Sequence, residues 1–176
     1  MEIPVTVKTR IGLDKIVTED WMSILLKAKP DAITLHGRTL VQMYKGFSNW
    51  DEINKARKLV KAQGVLFLGN GDIKSMAQAR RYCAMYELDG VLIGRAALGN
   101  PWFFAEKVPT LKERFRVMLE HSKLYFKYRP DLKLFPMRKH LAWYCTGFKG
   151  SHAVRDRLMK VVELKDLEDI LSTIKL

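Results

Sequence analysis

Short apolar runs rich in β-branched residues recur up to about residue 105, separated by stretches whose apolar positions have helical spacing. The runs are Ile3–Lys8, Ala32–His36, Val65–Gly69 and Gly90–Gly94. None alternates cleanly between apolar and polar positions, so each is expected to be a strand buried on both faces, as in a parallel sheet. The intervening segments carry helix-start signals. Thr18-Glu-Asp leads into the stripe Trp21, Ile24, Leu25 and Ala28. Ser48-Asn-Trp-Asp51 and Ser75-Met-Ala-Gln78 read as capping boxes before Ile53, Ala56 and Val60, and before Ala79, Tyr82 and Cys83. The order β-α-β-α-β-α-β predicts the α/β class.

After Pro101 the strand pattern stops. Thr110-Leu-Lys-Glu113 caps a helix carrying Phe115, Met118, Leu119, Ser122 and Phe126. Pro136 suits the first turn of a second helix, which runs through Leu141 and Tyr144 to a stop at Gly147. Helical patterns also fit Ser151–Val162 and Lys165–Thr173, giving a small all-helical bundle. The expected domains are therefore 1–105 and 106–176. Four βα units in the first part average roughly 26 residues, near the ~31 of a (β/α)₈ barrel. Four units make half of such a barrel, with two sheet edges unpaired. Opening almost directly on a buried-type strand favours the C-terminal piece of something longer over a compact four-stranded sheet. Half a barrel would expose apolar faces of Val5, Val7, Ile33, Leu35, Leu66, Leu68, Val91 and Ile93, and is expected to dimerise, aggregate or pack loosely.

Composition narrows the partners. The 176 residues are 48% hydrophobic and 28% charged, the balance of a folded globule. Lys+Arg 31 against Asp+Glu 19 gives a net +12, which favours a polyanionic partner. The tail, 106–176, has 16 basic and 9 acidic residues (+7), against 15 and 10 (+5) for 1–105. No apolar run approaches the ~18 residues of a membrane span, and the first residues do not read as a signal peptide. The two cysteines, Cys83 and Cys145, lie within helical patterns with no metal-ligand spacing around them, so a reduced, cytoplasmic setting is expected and no metal site.

Polar residues gather at the C-terminal ends of the strands, the functional rim of parallel α/β folds. These ends are Lys8-Thr-Arg10, His36-Gly-Arg38-Thr39, Gly69-Asn70-Gly71-Asp72 and Gly94-Arg95. The last two are glycine-rich turns, in which free backbone N–H groups favour a phosphate, and Arg95 adds a bidentate donor. A lysine inward on a strand, such as Lys8, requires a partner and is often a cofactor or catalytic group; the alternative is snorkelling to solvent. His36 reads either as a site residue or as a satisfied core histidine, and Asp72 either as a site residue or as a helix cap.

Ile3-Pro-Val-Thr-Val-Lys-Thr-Arg-Ile-Gly, Ile33-Thr-Leu-His-Gly-Arg-Thr-Leu-Val-Gln-Met-Tyr-Lys-Gly, Gly69-Asn-Gly-Asp-Ile and Asp89-Gly-Val-Leu-Ile-Gly-Arg through Gly99-Asn-Pro-Trp-Phe-Phe together resemble the tRNA-dihydrouridine synthases. Met137-Arg-Lys-His-Leu-Ala-Trp-Tyr is similar to that family's helical RNA-binding domain. The resemblance implies the C-terminal half of a (β/α)₈ TIM barrel, followed by a helical tRNA-binding domain. It implies an oxidoreductase in which NADPH reduces FMN, and FMN passes hydride to a flipped-out uridine of tRNA. Lys8, His36, Asn70, Gly71, Asp72, Gly94 and Arg95 would then contact FMN, with Arg38, Arg138, Lys139 and His140 on the RNA. Lys123, Lys127, Arg129 and Lys133 would add phosphate contacts, and Trp143 and Tyr144 a stacking surface. The family's acid cysteine lies ahead of the lysine strand. Neither Cys83 nor Cys145 matches it, so no catalytic acid is assigned, and the missing N-terminal half is itself an expected partner. Two other readings stay open: a non-catalytic RNA-binding remnant, and another phosphate-binding barrel enzyme.

Overall fold

The computed structural model of the chain describes residues 3–174. It divides into two compact units, 1–96 and 97–176, ahead of the boundary at 105 suggested by the strand rhythm. In the first unit, strands β1 (Thr6–Arg10), β2 (Ala32–His36), β3 (Leu66–Asn70) and β4 (Gly90–Leu92) form one parallel sheet in the order β1-β2-β3-β4. Helices α1 (Thr18–Lys27), α2 (Trp50–Lys61) and α3 (Met76–Met85) make the crossovers.

The register assigns each side chain to a face. Val7, Ile33 and Phe67 lie side by side, as do Thr9, Leu35, Gly69 and Val91. Ile33, Leu35 and Phe67 are fully buried in a core with Met22, Trp50, Ile53, Ala56 and Val60, so this face meets the helices. Gly69 lets Trp50 lie on the sheet, because a Cβ there would come within 2.7 Å of the indole. Trp50 in turn packs against Tyr82 and Tyr86. Thr9 accepts from the Trp21 indole N–H at 2.8 Å, and the Thr18 hydroxyl donates to Glu52 at 2.5 Å, joining α1 to β1 and to α2.

The opposite face is open, which corrects the expectation of strands buried on both sides. Burial alternates along β2 and β3, and in β1 no residue is fully buried. The apolar runs misled because the open face also carries aliphatic residues, Leu66 and Leu68 among them. Ile33 and Leu35, expected on an exposed apolar surface, are in fact covered by helices. Toward the strand ends the open face turns polar: Lys8 and Thr34 form one row, and Arg10, His36, Asn70 and Leu92 the next. At the other end, Asp31 accepts from the Val5 N–H and Asp89 from the Phe67 N–H, so acidic side chains satisfy backbone donors there.

Local signals were mostly legible. Ser75 caps α3 and Thr110 forms a full capping box with Glu113. For α2 the cap is Asn49, which accepts from Asp51 and Glu52, rather than Ser48. The second unit contains α4 (Leu111–Tyr128), α5 (Arg138–Tyr144), α6 (Ser151–Leu158) and α7 (Leu164–Ser172). Phe115, Met118, Leu134, Leu141, Leu158 and Leu167 are buried in its core. Pro136 precedes α5, whose cap is Met137, and Gly147 takes the left-handed conformation (φ 75°) beyond its end.

Two adjacent residues test the face assignment. Phe67 is fully buried and Leu66 is 54% exposed. Phe67→Ala is expected to cost about 3–5 kcal/mol, and Leu66→Ala less than about 1 kcal/mol, in urea unfolding of the same chain. Similar losses for both would show that the faces are wrongly assigned.

Candidate functional site

The polar row at the strand ends opens into a cavity of about 970 Å³. Among the described residues, Lys8, Arg10, Arg38, Lys74 and Arg95 line it with a single carboxylate, Asp72, so five cations face one acid. A recess with that balance attracts anions. Among the described residues no cluster of three or more His, Cys, Asp or Glu could hold a metal.

Asp72 organises the loops. Its Oδ2 accepts from Arg38 Nη2 at 2.6 Å and from the Ser48 N–H at 2.8 Å, and its Oδ1 accepts from Arg95 Nη2 at 2.7 Å. Burial raises the carboxyl pKa, but the Ser48 N–H and the two guanidiniums outweigh it, and the group lies below the usual carboxylate range. Asp72 is therefore an ionised bridge between loops and not the cap of α3. Its backbone is left-handed (φ 54°), and Gly71 before it has φ 133°. A Cβ on Gly71 would fall 2.0 Å from Ser48 Oγ, so this turn can approach β2's loop only with glycine. The Gly71 carbonyl accepts from the Trp50 indole, tying the turn to the core.

Arg38 is only 3% exposed. One Nη2 serves both Asp72 and the Gly46 carbonyl, while its buried Nε has no partner. Arg38 was expected on the RNA; its burial makes it an inner wall of the recess instead, because the ion pair draws the guanidinium under the loop. Asn70 donates from its amide to the Leu92 carbonyl at 2.9 Å, holding β3 to β4. Gly94 lines the cavity with nothing within 4 Å of where a Cβ would be, so protein packing does not require a glycine there. Arg95 lies over the Tyr44 ring at 5.2 Å.

Lys8 is exposed on the open face and has no carboxylate partner among the described residues. Burial, and then Arg10, lower its pKa from the ordinary lysine value. His36 is lowered to about 4, first by burial and then by Arg10, Lys8 and Arg38, against the opposing pull of Asp72. Near neutrality it is an uncharged imidazole that can donate or accept a hydrogen bond. Arg10, at the polar rim but with no expected contact, and Ser48, outside it, also line the site. Arg10 stands two residues from Lys8, and the two-residue period of a strand puts both on one face; Ser48 gave no such signal.

In the helical unit the predicted RNA residues separate. Arg138 donates from Nε to the Val161 carbonyl at 2.8 Å and from Nη2 to that of Lys160 at 3.3 Å, and stacks on Phe135. It holds the segment that follows α6, so its guanidinium N–H groups are partly used within the fold. Lys139 is exposed. His140 packs edge-on to Trp143 and to His121, and burial, His121 and Lys139 lower its pKa. Tyr144 is buried, with its hydroxyl 3.3 Å from His121 Nδ1, so it is not a stacking surface. Lys123, Arg129 and Lys133 pair with Glu168, Asp131 and Glu163 at the surface, and Lys127 lies over Tyr128.

Residues 1–175 match the family model described as dihydrouridine synthase. The chain is 35% identical to a probable tRNA-dihydrouridine synthase 1 of Synechocystis, over 97% of its own length and 51% of the relative's. It is 36% identical to a probable tRNA-dihydrouridine synthase of Mycobacterium leprae, over 97% of the chain and 48% of the relative. For the Rickettsia bellii protein of the same description the figures are 30%, 88% and 51%. The chain thus spans about half the length of the curated relatives it matches.

Two outcomes are expected. Gly71→Ala destabilises the chain by about 2 kcal/mol or more, since the backbone is left-handed and Ser48 must move; a thermal melt equal to that of the unsubstituted chain would contradict the close approach. His36 binds its proton more weakly folded than unfolded, so its contribution is fully present above pH 6.5 and is lost as pH falls toward 4. Discounted for solvent access, the loss is on the order of 2 kcal/mol. Denaturant titrations should show His36→Asn flattening the stability profile in that window while leaving the carboxylate-driven fall below it.

Proposed function

This chain belongs to the dihydrouridine synthase family, and on that premise we propose that its strand ends hold FMN as part of an NADPH-driven tRNA-dihydrouridine synthase. The observation that carries the reading is the cationic cavity, with Arg95 at its rim and the open space over Gly94. A phosphate suits both: it can accept from an exposed guanidinium such as Arg95, and it can lie against a backbone without a Cβ. In this reading the sheet is the C-terminal half of a (β/α)₈ barrel, and the phosphate site falls in the loops that commonly hold one. The open face is then the barrel's interior wall. The helical unit would dock tRNA through surface cations such as Lys139.

Bound FMN supplies hydride for reduction of a uracil ring. The chain's residues do the positioning. Arg95 and the Gly94 backbone hold the phosphate, while Asp72 keeps Arg95 and Arg38 in place. Asn70 and Gly71 border the path toward the open face. Lys8 stands further along that face as a cation able to balance negative charge on a reduced flavin. His36, neutral near pH 7, offers a hydrogen bond without adding charge beside Lys8 and Arg10. The acid that completes the reaction is assigned to no residue here; Cys145 is fully buried in the helical unit's core.

FMN titration of the full chain, followed by quenching of flavin fluorescence, tests this reading. A Cβ at position 94 meets no protein atom within 4 Å, so Gly94→Val should fill the phosphate cradle and weaken FMN at least tenfold, while Gly94→Ala, which adds that Cβ alone, keeps the melting temperature. Lys8→Ala should weaken FMN less than Gly94→Val. Unchanged FMN affinity in Gly94→Val would remove the phosphate site from this loop.

A further inference from the structure

The loop between β2 and α2 displays apolar side chains that the fold leaves uncovered. Leu40, Val41, Met43, Tyr44 and Phe47 are all exposed, and Phe47 is 86% so. Yet the loop is tightly held. Gln42 donates from its side-chain amide to the Lys45 and Phe47 carbonyls at 2.9 and 3.2 Å, and its N–H donates to the Thr39 hydroxyl. Arg38 holds the Gly46 carbonyl, and Asp72 the Ser48 N–H, on either side of Phe47. The backbone is thus held on both sides of Phe47, and the ring lies in solvent. Phe47 also lines the cationic cavity, so the ring stands at the rim of a strongly positive recess.

An apolar ring beside several cations matches the two-part recognition of single-stranded nucleic acid, in which bases stack on aromatic faces and cations hold the backbone. Tyr44 differs from Phe47 because its ring is engaged by Arg95. We propose that Phe47 is a stacking platform for an unpaired nucleobase of RNA, flanking the nucleotide taken into the recess. The proposal rests on the reading that RNA enters this recess. The cations, with one acid among them, favour a polyanion over an apolar protein surface as the occupant.

The test uses the full chain and a short uridine-rich RNA, single-stranded or annealed to its complement, with FMN binding scored on the same samples. Phe47→Ala should weaken the single strand about tenfold, within the range of one lost base–aromatic stack, and leave the duplex nearly unchanged. Phe47→Trp should restore binding, whereas Phe47→Leu, apolar without a π face, should resemble Phe47→Ala. The ring is exposed, so all three variants should melt like the unsubstituted chain. Equal affinity in Phe47→Ala, full recovery in Phe47→Leu, or no RNA binding by the unsubstituted chain would overturn the proposal. So would Phe47-dependent self-association with RNA affinity unchanged, which would assign the ring to a protein contact. If FMN fails to bind while the Phe47 dependence persists, the flavin reading falls and the stacking platform stands. Normal FMN binding with RNA affinity indifferent to Phe47 gives the reverse.

Discussion

Asp72 accepts hydrogen bonds from Arg38, Arg95 and the Ser48 N–H, and through them one carboxylate joins the loops that follow β2, β3 and β4. The arrangement depends on a left-handed turn at Gly71 and Asp72, which brings the carboxylate in over Ser48. It also sets the charge of the recess. One acid neutralises part of two guanidiniums, and the cations that remain make the cavity selective for an anion. Removing Asp72 would leave the buried Arg38 guanidinium uncompensated, which is far more costly than losing a surface pair.

The second constraint is that helices cover one side of the sheet. The buried face gives the unit its stability through Ile33, Leu35, Phe67 and Trp50. The open face is thereby free to carry Lys8, Arg10, His36 and Asn70 in two adjacent rows. Their proximity explains the His36 imidazole: burial and neighbouring cations both disfavour its protonated form, and the single nearby carboxylate does not compensate. Structure and electrostatics are coupled here, because the register that buries Leu35 also places its neighbour His36 among cations.

Charge in the helical unit illustrates the difference between composition and availability. Its excess of basic residues is real, yet Arg138 holds the segment after α6, and Lys123, Arg129 and Lys133 lie beside carboxylates. Exposed pairs of that kind contribute little to stability and exchange readily for other anions. Arg138 is different, since its guanidinium donates to the Val161 and Lys160 carbonyls rather than pairing with a carboxylate.

The sequence by itself determined the order of elements, the parallel α/β character of the first unit and the helical character of the second. It did so because strand and helix periodicities, and caps such as Ser75 and Thr110, are local properties. The strand-end residues were also legible, since a parallel sheet carries its polar rim at one end. Tertiary structure alone decided which strand face is covered, because Leu66 and Phe67 are both apolar and only packing separates them. It also decided that Asn49 rather than Ser48 caps α2, with the Ser48 N–H drawn to Asp72. Arg38 and Arg138 look like surface cations in a one-dimensional reading. Their partners are distant in the chain, Asp72 for one and the Val161 carbonyl for the other, and a hydrogen bond between distant residues exists only once the chain has folded.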